Sequence, residues 1–97
     1  MKREEFVFAI GYDGDTALVD GNSMRKYRNA GAAELAGIGQ FKPALCAALF
    51  DGNSEDIQAM LKVYNEKSGS AYTSIENLKR VFGVYEVPDF VTKVMII

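Results

Sequence analysis

The 97-residue chain predicts a mainly α fold, a short stack of antiparallel helix pairs, and three observations carry that expectation. The heptapeptide Ala-Leu-Val-Asp-Gly-Asn-Ser at 17–23 returns as Ala-Leu-Phe-Asp-Gly-Asn-Ser at 48–54, changed only at Val19/Phe50. Apolar residues after each copy recur at spacings of three and four, the period of one helical face. Glycine-containing stops, Gly-Ile-Gly at 37–39 and Lys-Ser-Gly-Ser at 67–70, divide those periodic runs. The alternative is an α+β domain, with an N-terminal β-hairpin and a C-terminal strand packed on four helices.

The N-terminal segment admits both folds. Phe6, Phe8, Ile10 and Tyr12 alternate, and an Asp-Gly turn follows, which suits a hairpin over residues 5–19. A short helix from about Lys2 to Ile10, a loop and a helical stub before Asp20 fit the same run. Periodicity does not separate the two in so short a stretch.

The heptapeptide itself encodes a boundary. An apolar end is followed by Asp-Gly, where glycine accepts backbone angles that other residues resist. Asn-Ser then supplies side chains that accept the orphan N–H groups of a helix start. Each copy therefore closes one helix and opens the next.

After the first copy, Met24, Tyr27, Gly31, Leu35 and Ile38 predict one helix from Ser23 to the Gly-Ile-Gly stop. A helix over Phe41–Phe50 follows, with Pro43 in its first turn, where a missing N–H costs little. After the second copy, Ile57, Met60, Leu61 and Tyr64 mark a third helix, with Glu55 and Asp56 at its start and Lys67 at its end. The fourth opens on Thr-Ser-Ile-Glu at 73–76, a capping-box sequence. Ile75, Leu78 and Phe82 face inward, and Gly83 closes it. Pro88-Asp89 breaks the chain before Phe-Val-Thr-Lys-Val-Met-Ile-Ile, a β-branched tail suited to a strand that docks on the core, joins a partner's sheet or packs across a twofold axis.

Residues 18–61 resemble HEAT-like repeats of the short type found in bilin-lyase-related proteins. The resemblance runs through Asp20, Arg25 and Lys26, then Ala-Ala-Glu-Leu-Ala-Gly-Ile-Gly at 32–39, then Pro-Ala-Leu-Cys-Ala-Ala-Leu-Phe-Asp at 43–51. It implies stacked helix pairs whose exposed faces bind partner proteins.

Composition narrows the chemistry. The chain is one domain, residues 1–97, with a net charge of −2, which disfavours broad attraction to nucleic acid or an anionic membrane. Histidine is absent, removing the commonest general base and transition-metal ligand at neutral pH. The single cysteine, Cys46, sits in an apolar helical run and reads as a buried, inert thiol. With no second cysteine for a disulfide, and with no apolar run of signal-peptide or membrane-spanning length, a cytoplasmic location is expected.

Asp13 and Asp15 have the Asp-x-Asp spacing of haloacid-dehalogenase-type phosphatases. Ala17 stands in the place of that motif's threonine, and 97 residues are too few for its doubly wound core, so the segment reads as an Asp-Gly turn. Neither Asp-Gly segment carries a full calcium-loop pattern. No catalytic residue, metal, cofactor or small-molecule ligand is therefore expected.

The function expected is a small protein-interaction or regulatory module, without catalysis, whose partner is another protein or a second copy of the chain. Arg25, Lys26, Arg28, Lys79 and Arg80 are the candidate partner-binding residues. The alternative is a helix-turn-helix DNA-binding regulator using helix 74–82, with Lys79 and Arg80 on the recognition helix and residues 84–94 as a wing.

Overall fold

The computed structural model describes residues 1–97 and shows an α+β fold, six helices with a small three-stranded sheet. The elements are α1 (Arg3–Val7), β1 (Ala9–Asp13), β2 (Thr16–Val19), α2 (Gly21–Tyr27), α3 (Ala32–Gly37), α4 (Phe41–Asp51), α5 (Ser54–Ser68), α6 (Ile75–Phe82) and β3 (Lys93–Ile96). The mainly α expectation yields here to its alternative at both ends of the chain.

At the N-terminus both local readings hold, one after the other. Arg3–Val7 coils for barely more than a turn, and then the chain extends into β1. Gly14, at φ 61°, turns it back into β2. The strands pair antiparallel, Tyr12 opposite Ala17 and Asp13 opposite Thr16, with a register shift between Ala9 and Gly11 that leaves Ile10 exposed. In β2, Ala17 and Val19 are buried while Thr16 and Leu18 alternate outward.

Segment 17–19 is thus strand where a helical stub was one expectation, and the first heptapeptide closes a strand. The second copy behaves as expected: α4 runs through Ala48–Phe50 and ends on Gly52 in the left-handed region. Both copies open helices, α2 and α5.

The single helix expected from Ser23 to Ile38 is broken. Residues 28–31 separate α2 from α3, and Gly31 sits at the N-cap of the second piece. Asn29 and Gly31 have weak helical propensity, and the Arg3 guanidinium competes for carbonyls at the break: Nη2 donates to Ala30 O at 3.0 Å and Nη1 to Arg28 O at 3.5 Å. The same side chain clasps Asp51 through Nε and Nη2 at 2.9 and 3.1 Å. One arginine therefore ties α1, the 28–31 turn and the end of α4.

The core is built mainly by the helices packing on one another, and Val19 is the sheet's one residue in its main cluster. Alanines at 44, 47 and 48 let α4 be approached closely, and Leu45 is wholly buried beside them. From α5, Met60, Leu61 and Tyr64 point inward as their spacing predicts, and Leu78 does so from α6. Tyr64 is an aromatic hub, its ring centroid 4.9 Å from Phe41, 6.0 Å from Phe82 and 6.2 Å from Tyr72. The cap of α6 is Ser74, whose hydroxyl accepts from Glu76 N at 3.2 Å; Glu76 turns instead to Lys79 at 3.0 Å, so the box expected from Thr73 does not form.

The tail expected as a strand is β3, parallel to β2, with Ala17 beside Val94 and Val19 beside Ile96. Asp15 fastens its start: its carbonyl accepts from Thr92 N and Lys93 N at 2.8 and 3.2 Å, and its carboxylate from the Thr92 hydroxyl at 2.6 Å. No helix is long and apolar enough to cross a membrane.

Candidate functional site

The five cations singled out from sequence lie on two elements. Arg25 and Lys26 are in α2 and Arg28 is its C-cap residue; Lys79 and Arg80 are in the last turn of α6. Arg25 Nη2 donates to Asn22 Oδ1 at 2.8 Å, Lys26 Nζ stands 5.5 Å from the centroid of the adjacent Tyr27 ring, and Lys79 pairs with Glu76. Arg28 and Arg80 make no ion pair. α2 packs against α1 and α6 against α4, and α1 itself packs on α4.

Helices α5 and α6 are joined by residues 69–74, a longer link than the three or four residues of a helix-turn-helix turn. Asn65 holds that link by donating to Tyr72 O at 2.8 Å and accepting from Tyr72 N at 3.1 Å. The segment expected as a wing forms no hairpin; its end is β3, paired with β2. Asp15 uses its carboxylate on Thr92, and Asp13 sits exposed at the hairpin tip.

Two features are built where the tail returns to the hairpin, the first with no signal in the sequence and the second expected there as a tail strand able to join a partner's sheet. The first is a cleft of about 410 Å³ between β1, α4 and segment 83–90. Phe6, Tyr12, Tyr85 and Phe90 bring aromatic rings to its lining, and Tyr12 meets Phe90 edge-on at 5.6 Å and 73°. Cys46 contributes to the wall from α4, 2% exposed and without a hydrogen bond. Burial pushes its thiol up to about 11, against a smaller opposing pull from the Lys42 ammonium, so the sulfur is neutral and unreactive at neutral pH. Burial, and then Cys46 itself, likewise raises the Tyr12 phenol above its ordinary range. Lys42 lines this cleft and also a neighbouring depression that contains Asp20, and it makes no ion pair.

The second feature is the outer edge of β3. Sheet order is β1-β2-β3, so β3 has no neighbour on one side. Lys93 N donates to Asp15 O, Ile97 N to Val19 O at 2.9 Å, and Ile97 O accepts from Gly21 N at 3.0 Å. Alternation along a strand then turns the N–H and C=O of Val94 and Ile96 outward, free to pair. Met95, Ile96 and Ile97 are 54%, 51% and 62% exposed along this edge, and Lys93 is the one charge in the strand. The sequence signal for it was the β-branched tail; what sequence could not show was which side of the strand stays open.

Comparison with protein-family models, with curated proteins and with solved structures returned no match.

Proposed function

We propose that the protein is a small protein-interaction module without catalytic activity, and that it docks its partner by strand addition along β3. The observation that supports this reading is the open, apolar edge over Val94–Ile97. Proteins usually blunt such an edge with charge, proline, a bulge or a covering element, because its unpaired backbone is a template for another chain. Here Lys93 alone interrupts it.

The strand's own pattern suits a second copy. An antiparallel pair centred on Met95 sets Val94 opposite the other copy's Ile96, and these are the residues whose backbone groups face outward. Lys93 then lies opposite Ile97, with the two lysines at opposite ends of the pair and no like charges in register. A homodimer would bury the apolar edge and make one continuous sheet.

The resemblance of residues 18–61 to HEAT-like repeats fits a binding role at α3, α4 and α5, consecutive helices that pack on one another. Arg25, Lys26, Arg28, Lys79 and Arg80 are proposed as charged contacts for an acidic partner surface, and a cytoplasmic setting is proposed with them.

Light scattering of the purified chain tests the docking mode. The expected result is a dimer that Ile96→Pro converts to a monomer with unchanged circular dichroism, since proline removes an outward N–H and leaves the β2 ladder intact. A wild-type chain that stays monomeric as its concentration rises, or a proline variant that still dimerises, overturns the second copy as the occupant.

A further inference from the structure

Independently of the β3 edge, we infer that the cleft between β1, α4 and segment 83–90 binds a small organic cation, an alkylammonium group carried on an apolar or aromatic body. Its size falls in the range of ligand pockets, roughly 300–1,000 Å³, at about 410 Å³. Size alone would admit many ligands, and the lining chooses among them.

Three charged residues line the cleft: Glu86 and Asp89 from the tail segment, and Lys42 from α4. None of the three makes an ion pair within the chain. Their sum is one negative charge, and the neutral Cys46 and Tyr12 add none. Both carboxylates belong to the same short segment as Tyr85 and Phe90, so negative charge and aromatic rings come to the cleft from one segment. The face of an aromatic ring attracts a cation through its quadrupole, and more strongly once the cation is desolvated. Tyr12 and Phe90 meet edge-on at 5.6 Å, which fixes both rings in the lining and leaves the face not covered by that contact to a cation.

Lys42 sets the orientation. It stands where the cleft meets the depression holding Asp20, so positive charge bounds the cleft on the α4 side. An ammonium head therefore lies toward Glu86, Asp89 and the Tyr12–Phe90 pair. The apolar body lies toward Phe6, Ala9 and the buried Cys46 thiol, which has no hydrogen-bond partner of its own and faces an uncharged surface without loss. An anion would meet two carboxylates against one ammonium in an aromatic-rich lining, and is disfavoured by charge.

The test uses benzyltrimethylammonium, benzyl alcohol and benzoate, each titrated into the full chain labelled with ¹⁵N and followed by amide shifts. The expected result is saturable movement of the Tyr12, Lys42, Cys46 and Tyr85 amides with the cation, weaker movement with the alcohol and the weakest with benzoate. Glu86→Gln combined with Asp89→Asn, both at exposed positions, is expected to weaken cation binding roughly tenfold, about 1 kcal/mol or less from each exposed charge. Lys42→Gln is expected to strengthen it, because a like charge is removed. Benzoate binding as tightly as the cation, a double variant with unchanged affinity, or a Lys42→Gln variant that binds the cation more weakly would each overturn the assignment.

Discussion

The two Asp-Gly-Asn-Ser segments are identical in sequence and solve different problems. In the first, Asp20 caps: its carboxylate accepts from Asn22 N and Ser23 N at 3.1 and 3.2 Å and from the Ser23 hydroxyl at 2.9 Å, and Gly21 is already the first residue of α2. In the second, Asp51 is the last residue of α4, Gly52 closes that helix at φ 65°, and Asn53 caps α5 by accepting from Glu55 N and Asp56 N at 2.9 and 3.2 Å. The tetrapeptide holds three residues able to cap, and Asp20 does so in the first copy and Asn53 in the second. At the first copy the tail comes alongside, Gly21 N donating to Ile97 O at 3.0 Å; at the second Arg3 engages the aspartate.

That difference makes the two glycines essential for different reasons, which substitution separates. A Cβ on Gly21 would stand 2.7 Å from Ile96 Cγ2 and 3.1 Å from the Ile97 carbonyl. Gly21 also donates its N–H to that carbonyl, so the helix start and the tail are packed without slack. Gly21→Ala is expected to cost about 1–3 kcal/mol, the range for overpacking, and to release the end of β3. Thermal unfolding should show a midpoint lower by roughly 4–8 °C per kcal/mol in a domain of this size. Faster hydrogen exchange at Ile97 would locate the damage. Gly52, by contrast, has open space around its Cβ position and is restrained only by its left-handed backbone. Gly52→Ala is expected to cost about 1–2 kcal/mol of backbone strain with no effect on β3. If both variants loosened the tail equally, the distinction between a space-limited and an angle-limited glycine would fail.

The same contrast explains what the sequence disclosed. Helices α4, α5 and α6 were legible because α5 shows a buried stripe at Met60, Leu61 and Tyr64, α4 a continuous apolar run over 44–48, and because Gly52, Gly69 and Gly83 end them in the left-handed region. The hairpin and α1 were legible only as alternatives, since five-residue elements carry too little pattern to choose. The break between α2 and α3 was hidden because the weak helical propensity of Asn29 and Gly31 is a slight signal, and the Arg3 guanidinium that binds the carbonyls of Arg28 and Ala30 comes from far away in the chain. The cleft was hidden for the same reason. Tyr12, Cys46 and Phe90 meet only because the tail returns to the hairpin, and nothing local in those three positions announces it. The repeated heptapeptide was rightly read as a boundary but wrongly assumed to lie between the same two kinds of element.

Asp51 and Asp20 hold matching places in the two copies and have different partners, which gives a finer comparison. Asp51 faces Arg3 in a two-pronged pair at the surface. Asp51→Asn is expected to destabilise by about 0.5–1 kcal/mol, the usual worth of a partly exposed pair. The gap from wild type should narrow as salt is added and the charges are screened. A gap that does not respond to salt would mean that Arg3 acts mainly through its bonds to the carbonyls of Ala30 and Arg28.

Asp20 gives the smallest effect and the sharpest sign. The Ser23 hydroxyl donates to its carboxylate, and the Ser23 and Asn22 N–H groups and the nearby Arg25 add to that; together they hold its carboxyl below the usual carboxylate range against a weaker opposing cost of burial. A carboxylate depressed on folding adds stability that is complete above its ordinary range and disappears as pH falls through the depressed value. Asn53 caps α5 with a neutral amide and contributes no such dependence. Asp20→Asn keeps a capping residue and removes the charge, so the variant should trail wild type at neutral pH, with the difference closing in acid below the carboxylate range. Urea unfolding of the two chains across that interval reads it directly. A difference that stays constant from neutral to acid pH would mean that Asp20 acts by shape alone, as Asn53 does, and that the first copy's distinctness lies wholly in the packing of β3 over Gly21.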